Sequence, residues 1–408
     1  MQEWKTYRIG DICKRVCSGG TPKSTEPSYY DGEIPWLNTK EINFNRISST
    51  EKHITLSGLE NSSAKWIDKN SVIVAMYGAT AAKVAINTIP LTTNQACCNL
   101  SIDETKADYR FVYYWLCSRY TELASLANGG AQQNLNAQQI KDFEIKLPEI
   151  QTQQKIADLL WSIDNKIICN KSINDNLEQQ AQALYKSWFV DFEPFKDGDF
   201  IDSEMGSIPR GWKIGKIKDI IDLLSGFPFK SSDFTKNGEY QLITIKGVQD
   251  GYLDVTSADR LSYLPSKMPH YCILKIGDIL ISLTGNVGRI CIVDRKDLLL
   301  NQRVAIVSPK NKRDSFYAYT MFRNDSFKNE LIHLARGTAQ LNLSPVETAD
   351  KLTIIPPDII LEDFAKIGQD IFKQYVSTKM ENIRLCEMRD SLLPKLMSGE
   401  LKINDLDC

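Results

Sequence analysis

A chain of 408 residues, 42% hydrophobic and 25% charged, is long enough for two or three domains with cores of their own, and it lacks the apolar or low-complexity tracts of a membrane-spanning or disordered protein. Its ten cysteines include no Cys-x-x-Cys pair and only three histidines accompany them, which excludes the usual metal-site patterns and suits reduced thiols in a cytoplasm. The net charge of −2 is unevenly spread: +1 over 1–148, −3 over 149–195, −2 over 196–211, +5 over 212–357 and −3 over 358–408.

In chain order, residues 1–148 read as a mixed α and β globule. Met1–Gly10 is polar and charged where a secretory signal needs an apolar run, so the protein is expected to stay where it is made. Val72–Tyr77 is a β-branched run bounded by Asn and Gly, which predicts a buried strand; Tyr109–Leu126 looks helical, and Phe143–Pro148 reads as a closing strand. A helix is predicted over Thr152–Phe189, about 38 residues and roughly 57 Å long at 1.5 Å per residue. Residues 196–211, rich in Gly and Asp, read as a linker. A second globule follows over 212–357, with a strand at Asp278–Leu283, helical sequence over Ser315–Ala335 and a closing strand at Leu352–Pro357. The segment 358–408 is a second long helix, in which Pro394 predicts a kink or restart near Leu392–Leu393.

The second half copies the first at an offset of about 208. Trp4-Lys5 returns as Trp212-Lys213, Asn94-Gln95 as Asn301-Gln302, and Ala131-Gln132-Gln133-Asn134-Leu135-Asn136 as Ala339-Gln340-Leu341-Asn342-Leu343-Ser344. The first helix carries an a/d seam: Ile156, Ile163, Asn170, Leu177, Leu184 on one line and Leu160, Ile167, Asn174, Ala181, Trp188 on the other. Its copy runs Phe364, Ile371, Thr378, Leu385, Leu392 and Gly368, Tyr375, Asn382, Arg389, Leu396, with Gly368 and Arg389 as exceptions to the apolar rungs. Antiparallel pairing would set Asn170/Asn174 beside Thr378/Asn382. These polar rungs then either fix the register or simply face water.

Catalytic patterns are missing. There is no Gly-x-x-x-x-Gly-Lys-Ser/Thr run, and no histidine stands in a Gly-x-Ser-x-Gly or His-Glu-x-x-His context. Gly285-Asn286-Val287-Gly288 lacks the other glycines of a dinucleotide fingerprint. Asp191-Phe192-Glu193-Pro194-Phe195 lacks the first proline of an amino-methyltransferase loop and follows a helix instead of a strand, so it reads as a helix exit.

Three stretches resemble the DNA-specificity (S) subunits of type I restriction–modification systems: Ala183–Pro194, Gly206-Ser207-Ile208-Pro209-Arg210-Gly211-Trp212, and Leu392-Leu393-Pro394-Lys395-Leu396-Met397-Ser398-Gly399-Glu400-Leu401. The resemblance spans essentially the full length. It implies an α+β fold of two mixed α/β target-recognition domains separated by two long helices that form an antiparallel coiled coil, a pseudo-two-fold tandem repeat. It also implies a non-catalytic, cytoplasmic subunit that reads a bipartite site on double-stranded DNA. The implied partners are two methyltransferase subunits and restriction/translocase subunits, with S-adenosylmethionine, ATP and Mg²⁺ used by those partners, no cofactor in this chain and no membrane association. A protein-binding scaffold is the competing class, against which the +5 of the second globule argues; a self-contained modification enzyme fails on the missing motifs.

The repeat also filters candidate DNA contacts, because two different half-sites cannot be told apart by identical side chains. Basic positions kept in both globules, Lys23/Lys230, Lys40/Lys246 and, one residue out of step, Lys83/Arg289, are assigned to phosphate or to plain solvated surface. The diverging loops after the central strands are assigned to base readout: Tyr77 and Thr80 in the first globule, Thr284 and Asn286 in the second. Asn286 suits adenine, and Arg303 suits guanine. Gly130-Ala131-Gln132 and Gly337-Thr338-Ala339-Gln340 either reach DNA or make a structural turn.

Overall fold

The computed structural model describes residues 4–127, 134–337 and 340–403, and these divide into two compact units, 1–166 with 385–408, and 167–384. Each unit therefore takes a globule together with part of both long helices. The linker segment belongs to the second unit.

In the first unit the opening strand Lys5–Arg8 pairs antiparallel with the closing strand Glu144–Leu147, Lys5 opposite Leu147. Between them lies a five-stranded sheet in the order Cys13–Ser18, Cys97–Ile102, Val72–Ala75, Val84–Asn87, Asn45–Ile47, beside a four-stranded one ordered Lys52–Ile54, Tyr30–Leu37, Leu91–Thr93, Trp66–Ile67. Val72–Ala75 is buried on both faces, as its unbroken apolar run requires. Alternation sends Val72 and Val74 into a core with Phe111, Trp115 and Leu160, and Ile73 and Ala75 into another with Leu37, Leu91 and Cys97.

The second unit repeats this plan. Lys213–Lys216 pairs with Leu352–Ile355. The sheets are ordered Ile221–Ser225, Val304–Pro309, Ile279–Ser282, Ile290–Ile292 and Arg260–Leu261, Tyr240–Ile243, Leu298–Leu300. Asn45–Ile47 of the first unit has no strand counterpart among the described residues of the second. Both predicted globule helices are broken, at Arg119 between Tyr109–Ser118 and Tyr120–Ser125, and at Asn324 between Ser315–Arg323 and Asp325–Leu334. At the second break the Asn324 side chain accepts from the Phe327 N–H at 3.3 Å, a cap that starts a new helix.

The long helices run Ile150–Phe189 and Asp358–Ser398. Within each unit their segments are antiparallel: Asp164 meets Arg389 in the first, and in the second Asn170 meets Asn382 while Trp188 meets Phe364. Ile156, Ile163, Asn170, Asn174 and Leu177 are buried along the seam, but at its end Leu184 and Trp188 are half-buried while Tyr185 and Phe189 are buried instead. An α-helix drifts about 20° per heptad against a 3.5-residue repeat, so after four heptads the buried line has moved nearly one residue. On the partner helix Phe364, Thr378 and Leu396 are buried, and Ile371, Asn382, Leu385 and Leu392 are half-buried.

At the polar rungs the Asn170 amide donates to Glu381 at 2.8 Å and to Asn382 at 2.9 Å, while Thr378 turns inward on its own helix and donates to the Gln374 carbonyl at 2.7 Å. The side-chain oxygens of Asn170 and Asn174 are buried without a hydrogen-bond partner.

Both seam exceptions have a physical reason. Arg389 is held by Asp164. Gly368 faces the Phe316 ring, and a Cβ there would sit 1.8 Å from Phe316 Cδ1, inside the ring's own volume. Phe316 stacks on Phe364 with ring centroids 5.1 Å apart, so it is not free to yield. Gly368→Ala is expected to destabilise the protein by about 1–3 kcal/mol despite alanine's better helix propensity, read as a lower calorimetric midpoint. An unchanged midpoint would mean that the ring moves aside without cost.

Two expectations need correcting. The last helix does not restart at Pro394: Asp358–Ser398 is continuous through it. Only one turn lies beyond the proline, and Leu396 and Met397 are fully buried in the first unit's core with Leu392 and Leu393 packed against it, which holds both sides of the proline in place. The helix ends instead at Gly399, whose φ of +74° makes a left-handed cap. The segment 196–211 is not an open linker either. Phe200–Ser203 and Gly206–Pro209 form a hairpin; the Phe192 and Phe195 rings pack on Trp212 at 5.3 and 5.2 Å, and Phe192 also meets Phe200 of the hairpin at 6.1 Å. Among the described residues no helix is long and apolar enough to cross a membrane.

Candidate nucleic-acid interface

The loops after the two central strands are built alike from different residues. Each turns on a glycine with positive φ, Gly78 at +73° and Gly285 at +76°. Each is then tied down by the repeated Asn-Leu pair. Leu135 N–H donates to the Met76 carbonyl at 2.8 Å beside a Tyr77–Asn134 bridge; Leu343 N–H donates to the Leu283 carbonyl at 2.7 Å beside a Thr284–Asn342 bridge. Retention of Asn134-Leu135 and Asn342-Leu343 is therefore explained by loop anchoring. Gly130-Ala131-Gln132 and Thr338-Ala339 lie outside the described residues, whereas Gln340 approaches the loop, its amide nitrogen 3.2 Å from where a Gly285 Cβ would stand.

Of the assigned readout residues, Tyr77 is exposed and Thr80 is half-buried at the turn. Asn286 is exposed, and with its amide oxygen toward Arg289 it accepts from that guanidinium at 3.1 Å. Arg303 is exposed and adjoins the loop through its backbone, its carbonyl accepting from the Leu283 N–H at 3.0 Å. Thr284 must be withdrawn from base readout. It is only 4% exposed, and its hydroxyl donates to Asn342 Oδ1 at 2.8 Å, so it anchors the loop from inside.

The kept basic residues fall into two kinds. Lys23, Lys230 and Lys246 are exposed with no ion pair among the described residues, and Lys40 is exposed 3.4 Å from Glu51. Lys83 and Arg289 are committed to neighbours: Lys83 donates to Asn43 at 2.8 Å and Arg289 to Gln249. Gln249 in turn donates to the Lys246 carbonyl at 2.7 Å, so Lys246, Gln249, Asn286 and Arg289 form one polar cluster beside the second loop. Gln249 was not legible as a member, since it lies 40 positions from Arg289 and stands in no motif. Lys230 makes no hydrogen bond or ion pair with this cluster among the described residues.

A second set of polar groups, also unseen in sequence, fixes each globule to the helix segments of its own unit. In the first unit Tyr114 donates to Asp164 at 2.5 Å, Arg389 donates to it at 3.0 Å, and Arg46 lies 4.0 Å away with its guanidinium 3.2 Å above the Trp161 ring. Burial, with Asp164 alongside, pushes the Tyr114 hydroxyl well above its ordinary range. Burial works against the charge on Arg389, yet Asp164 and Asp390 hold it more firmly protonated than a free arginine. In the second unit Glu178 accepts from Tyr319 and from Arg323 at 3.0 Å, and Asp250 bridges Arg323 and Lys328. The first set left one trace in sequence, the arginine misplaced at a seam position.

The chain is similar to known proteins in sequence and in fold. The family model for the type I restriction modification DNA specificity domain matches residues 1–179 and again 209–381. The MjaIX specificity subunit of Methanocaldococcus jannaschii is 28% identical over 415 residues, covering 99% of this chain and 95% of that protein. The HindI specificity subunit of Haemophilus influenzae is 24% identical, covering 98% and 100%. The fold matches that of the type I restriction–modification S subunit from M. genitalium with a TM-score of 0.59 at 16% identity, over 96% of each chain. Two matches of one DNA-specificity model along a chain that repeats itself in sequence and in strand order make this chain a member of the type I restriction–modification DNA-specificity subunit family.

Proposed function

We propose that each globule reads one half of a bipartite DNA target, and that the two helices set the separation of the halves and dock methyltransferase subunits. The reading rests on one observation above the others: the same strand carries the same kind of anchored loop, turning on Gly78 or Gly285, in both globules, while the exposed side chains differ, Tyr77 and Ala79 in the first against Asn286 in the second. A shared scaffold with divergent exposed tips is what two different half-sites demand. The exposed lysines Lys23, Lys40, Lys230 and Lys246 supply sequence-independent attraction to phosphate. The chain performs no chemistry of its own; the partner methyltransferase and translocase subunits use S-adenosylmethionine, ATP and Mg²⁺ for catalysis on the DNA that this chain selects.

Because the first and last strands of each globule pair with each other, a globule can be moved as a unit. Exchanging residues 1–148 with 212–357 in the intact complex is expected to swap the order of the half-sites at unchanged separation, measured by sequencing methylated sites. A changed separation would assign the spacing to the globules. Within the second globule, Asn286→Ala and Arg303→Ala are each expected to reduce discrimination at the second half-site by about 1–3 kcal/mol and to leave the first half-site unaffected, in competition binding with single-base variants. Uniform weakening over all sequences would reassign these side chains to phosphate.

A further inference from the structure

Within the second unit a cavity of about 660 Å³ opens between the start of the central strand, the end of its neighbour Val304–Pro309 and one face of the last helix. Its floor is an apolar ridge at helical spacing, Phe372, Val376 and Met380, with Phe372 fixed by the Phe316 and Tyr319 rings at 6.4 and 5.7 Å. Four lysines line it: Lys275, Lys310, Lys312 and Lys373. All four are exposed, and none forms a salt bridge among the described residues. Against them stands one carboxylate, Asp278, one of whose oxygens accepts from the Lys275 N–H at 2.7 Å.

The first half of the chain does not repeat this chemistry. At the copy offset of 207 in the globule and 208 in the helix, the four lysines correspond to Asp68, Asp103, Thr105 and Asn165. A site needed by each of two like partners would be built into both repeats. This one serves an occupant taken once per chain, which separates it from the docking of paired subunits proposed above.

The chemistry of that occupant follows from the lining. Four cations around one carboxylate call for a polyanion, and a strong one, since each lysine is a compact charge that forgoes hydration only for a comparable partner. The apolar floor calls for an uncharged, flat or aliphatic body on the same molecule. A duplex backbone offers the charge, but its phosphates stand on the outside of a rod too wide to reach the floor of such a cavity. The volume lies in the range of small-molecule sites. Asp278 adds a place for a sugar hydroxyl, the role that an acidic side chain fills in dinucleotide sites. We propose that this cavity binds a nucleoside polyphosphate, with the phosphates on the four lysines and the nucleoside against Phe372, Val376 and Met380.

Calorimetric titration of the full chain with ATP, with sodium tripolyphosphate and with adenosine tests this. The expected result is one ATP site per chain, weaker binding of tripolyphosphate and none of adenosine. The double variant Lys310→Glu/Lys373→Glu, which alters only exposed side chains, is expected to lower ATP affinity at least tenfold, about 1.4 kcal/mol or more. Absence of ATP binding, or an unchanged affinity in the double variant, would overturn the assignment. Tripolyphosphate binding as tightly as ATP would remove the nucleoside from it. Non-specific duplex DNA that displaces ATP and loses affinity in the double variant would make the groove a contact for the DNA backbone. None of these outcomes bears on half-site reading, which the loop variants test separately.

Discussion

Asp164→Ala is expected to destabilise the first unit by about 3–5 kcal/mol, the cost of removing one partner from a desolvated ionic group. The carboxylate accepts from Tyr114 and Arg389, and only 13% of its side chain is exposed. Without it Arg389 keeps Asp390 alone, at 2.8 Å on the outer face, and the Tyr114 hydroxyl loses its described acceptor inside a packed core. For a unit of this size the loss corresponds to a calorimetric midpoint lower by roughly 10 °C. The transition of the second unit should stay in place, because its own lock runs through Glu178 and Arg323. Asp164→Asn, which retains an acceptor for the tyrosine, is expected to cost less. A midpoint unaffected by Asp164→Ala would show that the pair contributes nothing net, as exposed ion pairs commonly do.

The largest functional effect is expected from lengthening the helices. Four residues inserted after Asn174, matched by four before Thr378 on the opposite helix, add roughly 6 Å at 1.5 Å per residue, a little under two base pairs of duplex. Methylated sites in cells carrying this variant are expected to show both half-sites unchanged and the spacer between them longer by one or two base pairs. The matched insertion matters, because the Asn170 contacts with Glu381 and Asn382 fix one alignment of the helices. An insertion in one helix alone would carry every later rung past its partner and shift the seam by a stutter. A spacer unchanged by the matched insertion would refute the role of the helices in setting it.

What was legible in the sequence was whatever repeats at short range. The central strands announced themselves through unbroken β-branched runs, and the helices through the seam. The copy at 208 residues predicted two like globules that each end on a strand, but not that this strand pairs with the globule's own first one. What was not legible depends on distance or on accumulated geometry. Nothing near Thr284 signals that Asn342, 58 positions later, will take its hydroxyl inside. The exchange of Leu184 and Trp188 for Tyr185 and Phe189 arises from a drift too small to see in any single heptad. Pro394 misled because its penalty is local, while the burial of Leu396 and Met397 that outweighs it comes from strands and helices near the other end of the chain. The hairpin within 196–211 was hidden by a composition that serves tight turns and open linkers equally well.

The make-up of the first unit has a consequence for the order of events at the ribosome. Its core takes in Leu396 and Met397, with Leu392, Leu393 and Leu401 against it, whereas the second unit is one uninterrupted stretch, 167–384. During synthesis the second unit has all of its own sequence before the first has its last helical turns, although the first began to emerge earlier. The first globule therefore waits, with the surface meant for those leucines uncovered, for the time it takes to translate the whole second repeat. At about 5–20 residues per second that delay is roughly ten to forty seconds. A stop codon falling just after residue 384 would for the same reason spare the unit made second and leave unfinished the one that was begun first.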